Sequence, residues 1–143
     1  MRPLDLVWNP DAVPPRVELV RAPALTDSAP YAYAATARGL VFTAGACPLD
    51  TAGDVVAVGD VAGQATVTMD NLEIALEAAG CTLSDVAKST VYVASPDRSD
   101  LVAAWEVVRE RFGDHDAPST LLGVAVLGYA DQLVEVEAVA VAP

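Results

Sequence analysis

The sequence predicts an α+β protein, with one mixed β-sheet and two α-helices packed on one of its faces. Three stretches carry that prediction. Asp60 offers a cap, and small or apolar residues recur at helical spacing after it (Ala65, Met69, Leu72, Leu76, Ala79) until Gly80 stops the helix. The run from Val86 to Val93 then alternates as a strand does, with Val91 and Val93 facing opposite to Tyr92. A second helical stripe, Leu101, Ala104, Trp105, Val108 and Phe112, ends at Gly113 and precedes two further β-rich runs. Strands, helix, strand, helix and strands in that order suit two helices covering one face of a sheet.

Residues 1–15 are proline-rich and aperiodic, and read as an arm over the domain or over a neighbouring subunit; residues 16–143 read as a single domain. Arg16 to Val20 suits an edge-like first strand. From Tyr31 to Ala37 the chain alternates weakly, and Arg38-Gly39 turns it into Leu40 to Ala44, a run suited to a buried strand that Gly45 ends. Leu49 to Asp54 is turn chemistry, with a short extended segment expected at Val55 to Val58. Ser95 to Ser99 is a loop in which Ser99 is the expected N-cap of the second helix, Asp100 to Phe112. After the polar loop Asp114 to Pro118, Thr120 to Leu127 and Leu133 to Val141 have the pattern of a long hairpin joined by residues 128–132. On the last of these runs Val134, Val136, Ala138 and Ala140 share one side. Glu135, Glu137, Val139 and Val141 share the other, so both sides carry apolar residues. Two helices cover one side, and a second subunit is expected to cover the other.

Composition narrows the function. Hydrophobic residues make up 53% and charged residues 20% of 143, the balance of a globular domain with a core of its own. The chain has no apolar run of membrane-spanning length, and its first residues lack the uninterrupted apolar segment of a secretory signal, so no membrane partner and a cytoplasmic location are expected. Twenty acidic against eight basic side chains leave a net charge of −12, which argues against nucleic acid as a partner because phosphate binding draws on Lys and Arg. The acidity reads as a solvated surface, and as a field that favours neutral or cationic ligands. Cys47 and Cys81 have no metal-ligand spacing, and with His115 as the one histidine no zinc set is expected. No glycine-rich phosphate loop is present, so the sequence points to no cofactor.

Gln64, Asp70-Asn71-Leu72, Glu77-Ala78-Ala79-Gly80 and the run from Asp85 to Val93 with Lys88, Thr90 and Tyr92 resemble the middle of the Rid family (the YjgF/UK114 proteins). The resemblance extends more loosely over Val17 to Val141, through Ala29-Pro30-Tyr31, Thr43-Ala44-Gly45 and Val134 to Ala138. It implies a RidA/chorismate-mutase-like α+β fold assembled as a homotrimer. The sheets meet in a central, barrel-like core and ligand clefts lie between adjacent subunits. It also implies an activity, hydrolysis of an enamine or imine to a keto acid and ammonium.

By that resemblance Tyr31 and Gly45 are substrate-binding positions and Glu135 is the catalytic residue that orients water or moves a proton. The pattern also has an arginine at the start of the penultimate strand, whose fork clamps the substrate carboxylate. Here that place reads Pro118-Ser119-Thr120, and Ser119 or Thr120 takes the arginine's position according to whether the strand or the proline is aligned. Arg109 and Arg111 lie in the second helix and do not match. Ala44 stands where a serine is often found, and Val102 where some deaminases carry an asparagine.

Each candidate also has a plain structural reading. Tyr31 is a ligand contact or a half-buried tyrosine. Glu135 is a catalytic group or one half of an ion pair at a trimer interface. Ser119 and Thr120 are ligand donors or turn residues, Cys47 is a thiol near the cleft mouth or a buried filler, and His115 with Asp116 is an acid/base pair or a solvated loop. The function expected is hydrolysis or related chemistry on an enamine or imine in clefts between subunits, with poor activity on simple 2-imino acids. The alternative is a non-catalytic trimer of the same fold that binds a small ligand or a partner.

Overall fold

The structure, a computed structural model, describes residues 10–13 and 15–143. Most of the expected arm lies outside these residues. The elements run β1 (Glu18–Val20), β2 (Ala34–Ala37), β3 (Leu40–Thr43), α1 (Val61–Ala78), β4 (Val86–Val93), α2 (Arg98–Phe112), β5 (Ser119–Gly123) and β6 (Val134–Val141), with a 3₁₀ turn, Leu83–Asp85, ahead of β4. The strands form one sheet in the order β1-β2-β3-β6-β4-β5. α1 lies across β6 and β3, α2 across β4 and β5, and the helices touch each other on the same face, as the sequence predicts.

α1 starts where its sequence allows, the Asp60 carboxylate accepting the Gly63 N–H at 2.9 Å. At its other end the Cys81 N–H bonds the Leu76 carbonyl and the Gly80 N–H bonds the Glu77 carbonyl. Gly80 adopts φ +81°, the left-handed turn that a glycine makes without strain. Ala65, Met69, Leu72 and Leu76 are buried as the spacing predicts, and Gln64 and Thr68 are buried with them. Leu72, fully enclosed over the sheet, is the clearest stability probe. Leu72→Ala is expected to cost about 2–5 kcal/mol through lost burial and the cavity left behind, read as a fall in the urea midpoint.

Three local expectations change. β5 forms no hairpin with β6: it pairs in parallel with β4, from Ser89↔Ser119 to Val93↔Gly123, and β6 enters antiparallel between β3 and β4. α2 completes the crossover that a parallel pair requires. The N-cap of α2 is Asp97 rather than Ser99, and the Ser95 hydroxyl organises that end, accepting the Asp97 N–H and donating to the Asp100 carboxylate at 2.6 Å. Residues 55–58 form no strand beyond a single bridge, Leu49↔Val55.

The two-sided character of β6 is plain. Val134, Val136, Ala138 and Ala140 are buried beneath the helices, whereas Glu135, Glu137 and Val139 are half-buried on the far face and Val141 is 52% exposed. β3 is likewise one-sided: Val41 is enclosed, but Phe42 is 44% exposed opposite Val139.

Candidate functional site

The site is built where β3 leaves the sheet. β3 pairs with β6 as far as Phe42, the Ala138 N–H is then taken by the Thr43 hydroxyl, and the backbone rejoins β6 at Ala46↔Val136. The bulge so formed carries Gly45 past Glu135. A Cβ placed on Gly45 would stand 1.7 Å from Glu135 Oε1, so the carboxylate lies against the bare Cα and glycine is required for that contact. Glycine's role here is space rather than an unusual turn.

Two amides on α1 hold the loops on either side of this contact. Asn71 Nδ2 donates to the carbonyls of Cys47 (2.8 Å) and Leu49 (2.9 Å), fixing the segment after Gly45. Gln64 donates to the Asp131 carbonyl (2.9 Å) and accepts the Leu133 N–H (2.7 Å), fixing the entry to β6. These are two of the positions on which the family resemblance rests, and here they act as struts. A third amide, buried Gln132, accepts the Tyr129 N–H (3.1 Å) and donates both to the Val134 carbonyl (3.1 Å) and to Glu135 Oε2 (3.4 Å).

Beside Gly45 opens a pocket of about 290 Å³, whose walls include Leu25, Tyr31, Tyr33, Cys47, Leu49 and Ile74. Tyr31 is 38% exposed, its hydroxyl 3.3 Å from that of Tyr129 and its ring edge-on to Tyr33. Burial, then the Tyr129 hydrogen bond, raise the Tyr31 phenol above its ordinary value, so it is a neutral donor or acceptor. Burial is also the larger cause that raises the Glu135 carboxyl; the Gln132 hydrogen bond opposes it and the Glu137 charge adds to it. A glutamate raised in this way is a better proton acceptor near neutral pH than an ordinary one. Cys47 is pushed up to about 12 by burial and by the Glu135 charge, and its Sγ sits 3.4 Å from the Gly45 carbonyl, so it stands in the wall as a thiol. Both cysteines are buried and free.

Tyr31, Gly45, Cys47 and Glu135 are thus brought together. Ser119, Thr120 and His115 are elsewhere in the subunit. β5 is an edge strand, separated from β6 by β4. Ser119 faces the helices, its hydroxyl donating to the Ala117 carbonyl (3.1 Å) and bonded to that of Ser89. Thr120 points to the opposite face, the one that carries Glu135, and accepts a hydrogen bond from Lys88 Nζ at 2.5 Å. His115 Nε2 donates to the Val86 carbonyl at 2.8 Å, with its ring tilted against Phe112.

A pocket lined by tyrosines and by a glycine against which a raised carboxyl rests, set on an α+β sheet, is a candidate small-molecule site. The model of the family described as Endoribonuclease L-PSP matches residues 21–142. A RutC family protein of Pyrococcus horikoshii is 36% identical over 111 residues, 78% of this chain and 86% of its own length. The 3-aminoacrylate deaminase RutC of Acinetobacter baylyi is 33% identical, with 78% and 86% covered, and the 2-iminobutanoate/2-iminopropanoate deaminase of Escherichia coli is 33% identical, with 78% and 87% covered. Among solved structures, Escherichia coli TdcF with bound serine superposes with a TM-score of 0.74 at 29% identity, over 88% of this chain and 99% of that one. The chain belongs to this family, the YjgF/RutC/Rid proteins, whose named relatives include reactive-intermediate deaminases.

Proposed function

We propose that this protein is a cytoplasmic deaminase of small enamines or imines. In this reading residues 16–143 are one domain that works as a homotrimer, with reaction sites between adjacent subunits. The observation that carries the reading is the Glu135 carboxylate, raised by burial, steadied by Gln132 and seated against Gly45, a residue that lines a pocket together with Tyr31. Glu135 takes a proton from water as it adds to the substrate's imine carbon, and returns one to the departing nitrogen. Tyr31 and the Gly45 backbone hold the ligand. Relatives are named for 2-iminobutanoate, 2-iminopropanoate and 3-aminoacrylate, all small carboxylates, and we carry that class over to this chain in place of the neutral or cationic ligand that net charge alone suggests, with slow turnover of the simple 2-imino acids still expected.

Two features of the uncovered face support the trimer. Leu40, Phe42, Leu122 and Val141 are exposed there, an apolar surface that a second copy would bury. Thr120 also lies on that face with β4 between it and Glu135, so a site using both draws them from different subunits. Among the described residues no helix is long and apolar enough to cross a membrane. The ribonuclease in the family's description finds no support in a chain of net charge −12.

The test is a steady-state assay of 2-imino acids generated in situ by an amino-acid oxidase. Turnover above the buffer rate is expected, slower than that of an arginine-bearing relative; no turnover of any imine sinks the enzyme reading. Two variants sharpen it. Thr120→Arg, which puts a guanidinium on the face of Glu135, is expected to raise kcat/KM for 2-iminopropanoate about tenfold, as one added charge-assisted hydrogen bond of roughly 1.5 kcal/mol would. Ser119→Arg drives its side chain toward the helices and is expected to bring no gain.

A further inference from the structure

Lys88 is the one lysine in a chain with seven arginines. β4 carries it half-buried on the sheet face away from the helices, with Val139 as its neighbour on β6. Its Nζ donates to Thr120 Oγ1 at 2.5 Å, across to the edge strand. Among the described residues no acidic side chain pairs with Lys88, and both ion pairs belong to Arg111, with Asp70 and Glu73. Glu137, two residues along β6 from Val139 and on the same face, is taken up by the Tyr92 hydroxyl at 2.6 Å instead. The open face therefore holds an ammonium whose one hydrogen-bond partner among the described residues is a neutral hydroxyl.

We propose that Lys88 and Thr120 form a carboxylate-binding subsite, which holds the anionic end of the substrate against the Glu135 of an adjacent subunit. The proposal rests on the deaminase reading for the identity of its ligand. An ammonium with one donor spent has two left, and the Thr120 hydroxyl, accepting from Lys88, still has its own hydrogen to give. Free donors and a positive charge thus lie side by side at the sheet edge, a set from which an incoming carboxylate can accept. Lys88 supplies a point charge rather than a planar fork, so it secures the anion without fixing the carboxylate plane. That accounts at once for a site that retains carboxylate substrates without an arginine at residue 119 or 120 and for weaker positioning of the smallest ones.

A single lysine makes the experiment direct. Biosynthetic incorporation of ¹³Cε-lysine leaves the ammonium and its donors unchanged and labels one side chain, and the signal missing from Lys88→Met confirms the assignment. Titration with 2-oxobutanoate is expected to move the Lys88 ¹³Cε signal saturably, whereas 2-oxobutanamide, which lacks the charge, leaves it in place. By calorimetry on unmodified protein, Lys88→Met is expected to weaken 2-oxobutanoate binding about tenfold, roughly the loss of one charge-assisted hydrogen bond, with Lys88→Arg keeping most of the affinity and Thr120→Val losing part of it. A signal unmoved by saturating 2-oxobutanoate, or parental affinity in Lys88→Met, overturns the subsite. Imine turnover assayed beside the titration separates the two ideas. Turnover with an unmoved signal leaves the deaminase and removes the subsite; a moved signal without turnover keeps the subsite and removes the deaminase.

Discussion

Glu135→Gln is expected to lower kcat for imine hydrolysis by about 10²- to 10⁴-fold, the range attached to one positioned acid/base group, while leaving ligand affinity nearly unchanged. The substitution is close to isosteric, so the Gly45 contact and the pocket stay as they are. The same variant is expected to be more stable at pH 7. The folded-state carboxyl is raised above its ordinary value near 4.5, so between the two values the folded chain binds more protons than the unfolded one. Stability therefore falls as pH rises through that window, and the cost persists above it. Glutamine abolishes the titration, so its urea midpoint should vary less with pH across the window and lie above the parent's at neutral pH. A parent with no turnover, whose Glu135→Gln variant binds ligand equally well, would instead be a binding protein of the same fold. Full turnover in the variant would remove Glu135 from the chemistry.

Gly45→Ala is expected to cost about 10²-fold in kcat with little loss of stability, a separation that few substitutions produce. The new methyl would stand 1.7 Å from Glu135 Oε1, which is impossible without movement. The atoms it meets are the end of a flexible side chain, and Gly45 lies outside the left-handed region, so the backbone can keep its path while the carboxylate swings away. Displacement of a catalytic group by an ångström costs rate on this scale. The expected signature is kcat reduced toward that of Glu135→Gln, with a urea midpoint near the parent's. An unchanged kcat would mean that the position of Glu135 against Gly45 does not matter to the reaction.

What could be read from the sequence was what local periodicity encodes. Both helices, β4 and the two faces of β6 follow from spacing, and their core residues lie where the pattern puts them. The partner of β5 does not follow, because alternation along Ser119–Gly123 is the same whether the strand turns back on β6 or runs parallel to β4. Ser99 is a sound capping residue, yet the loop spends Ser95 at that end and starts the helix earlier. The family motif singles out Tyr31, Gly45 and Glu135, and the structure brings them near one another. Asn71, Gln64 and Gln132 were not legible as supports, since most of what they bind is backbone, and for the two on α1 it lies more than 20 positions away. The choice between Ser119 and Thr120 is a question of which face each takes, and that needs the pairing with Ser89 and Thr90.

The place of β6 bears on how the molecule is made. It comes last of the elements in sequence yet lies between β3 and β4 in the sheet. Until it emerges during synthesis, β1 to β3 and the β4–α2–β5 unit are two partial sheets, each with an unpaired edge where the last strand belongs. Open edges of this kind invite pairing with the wrong chain. Joining the halves waits on contacts between distant parts of the chain, which form slowly. A truncation before Val134 would therefore leave two partial sheets with no strand to join them.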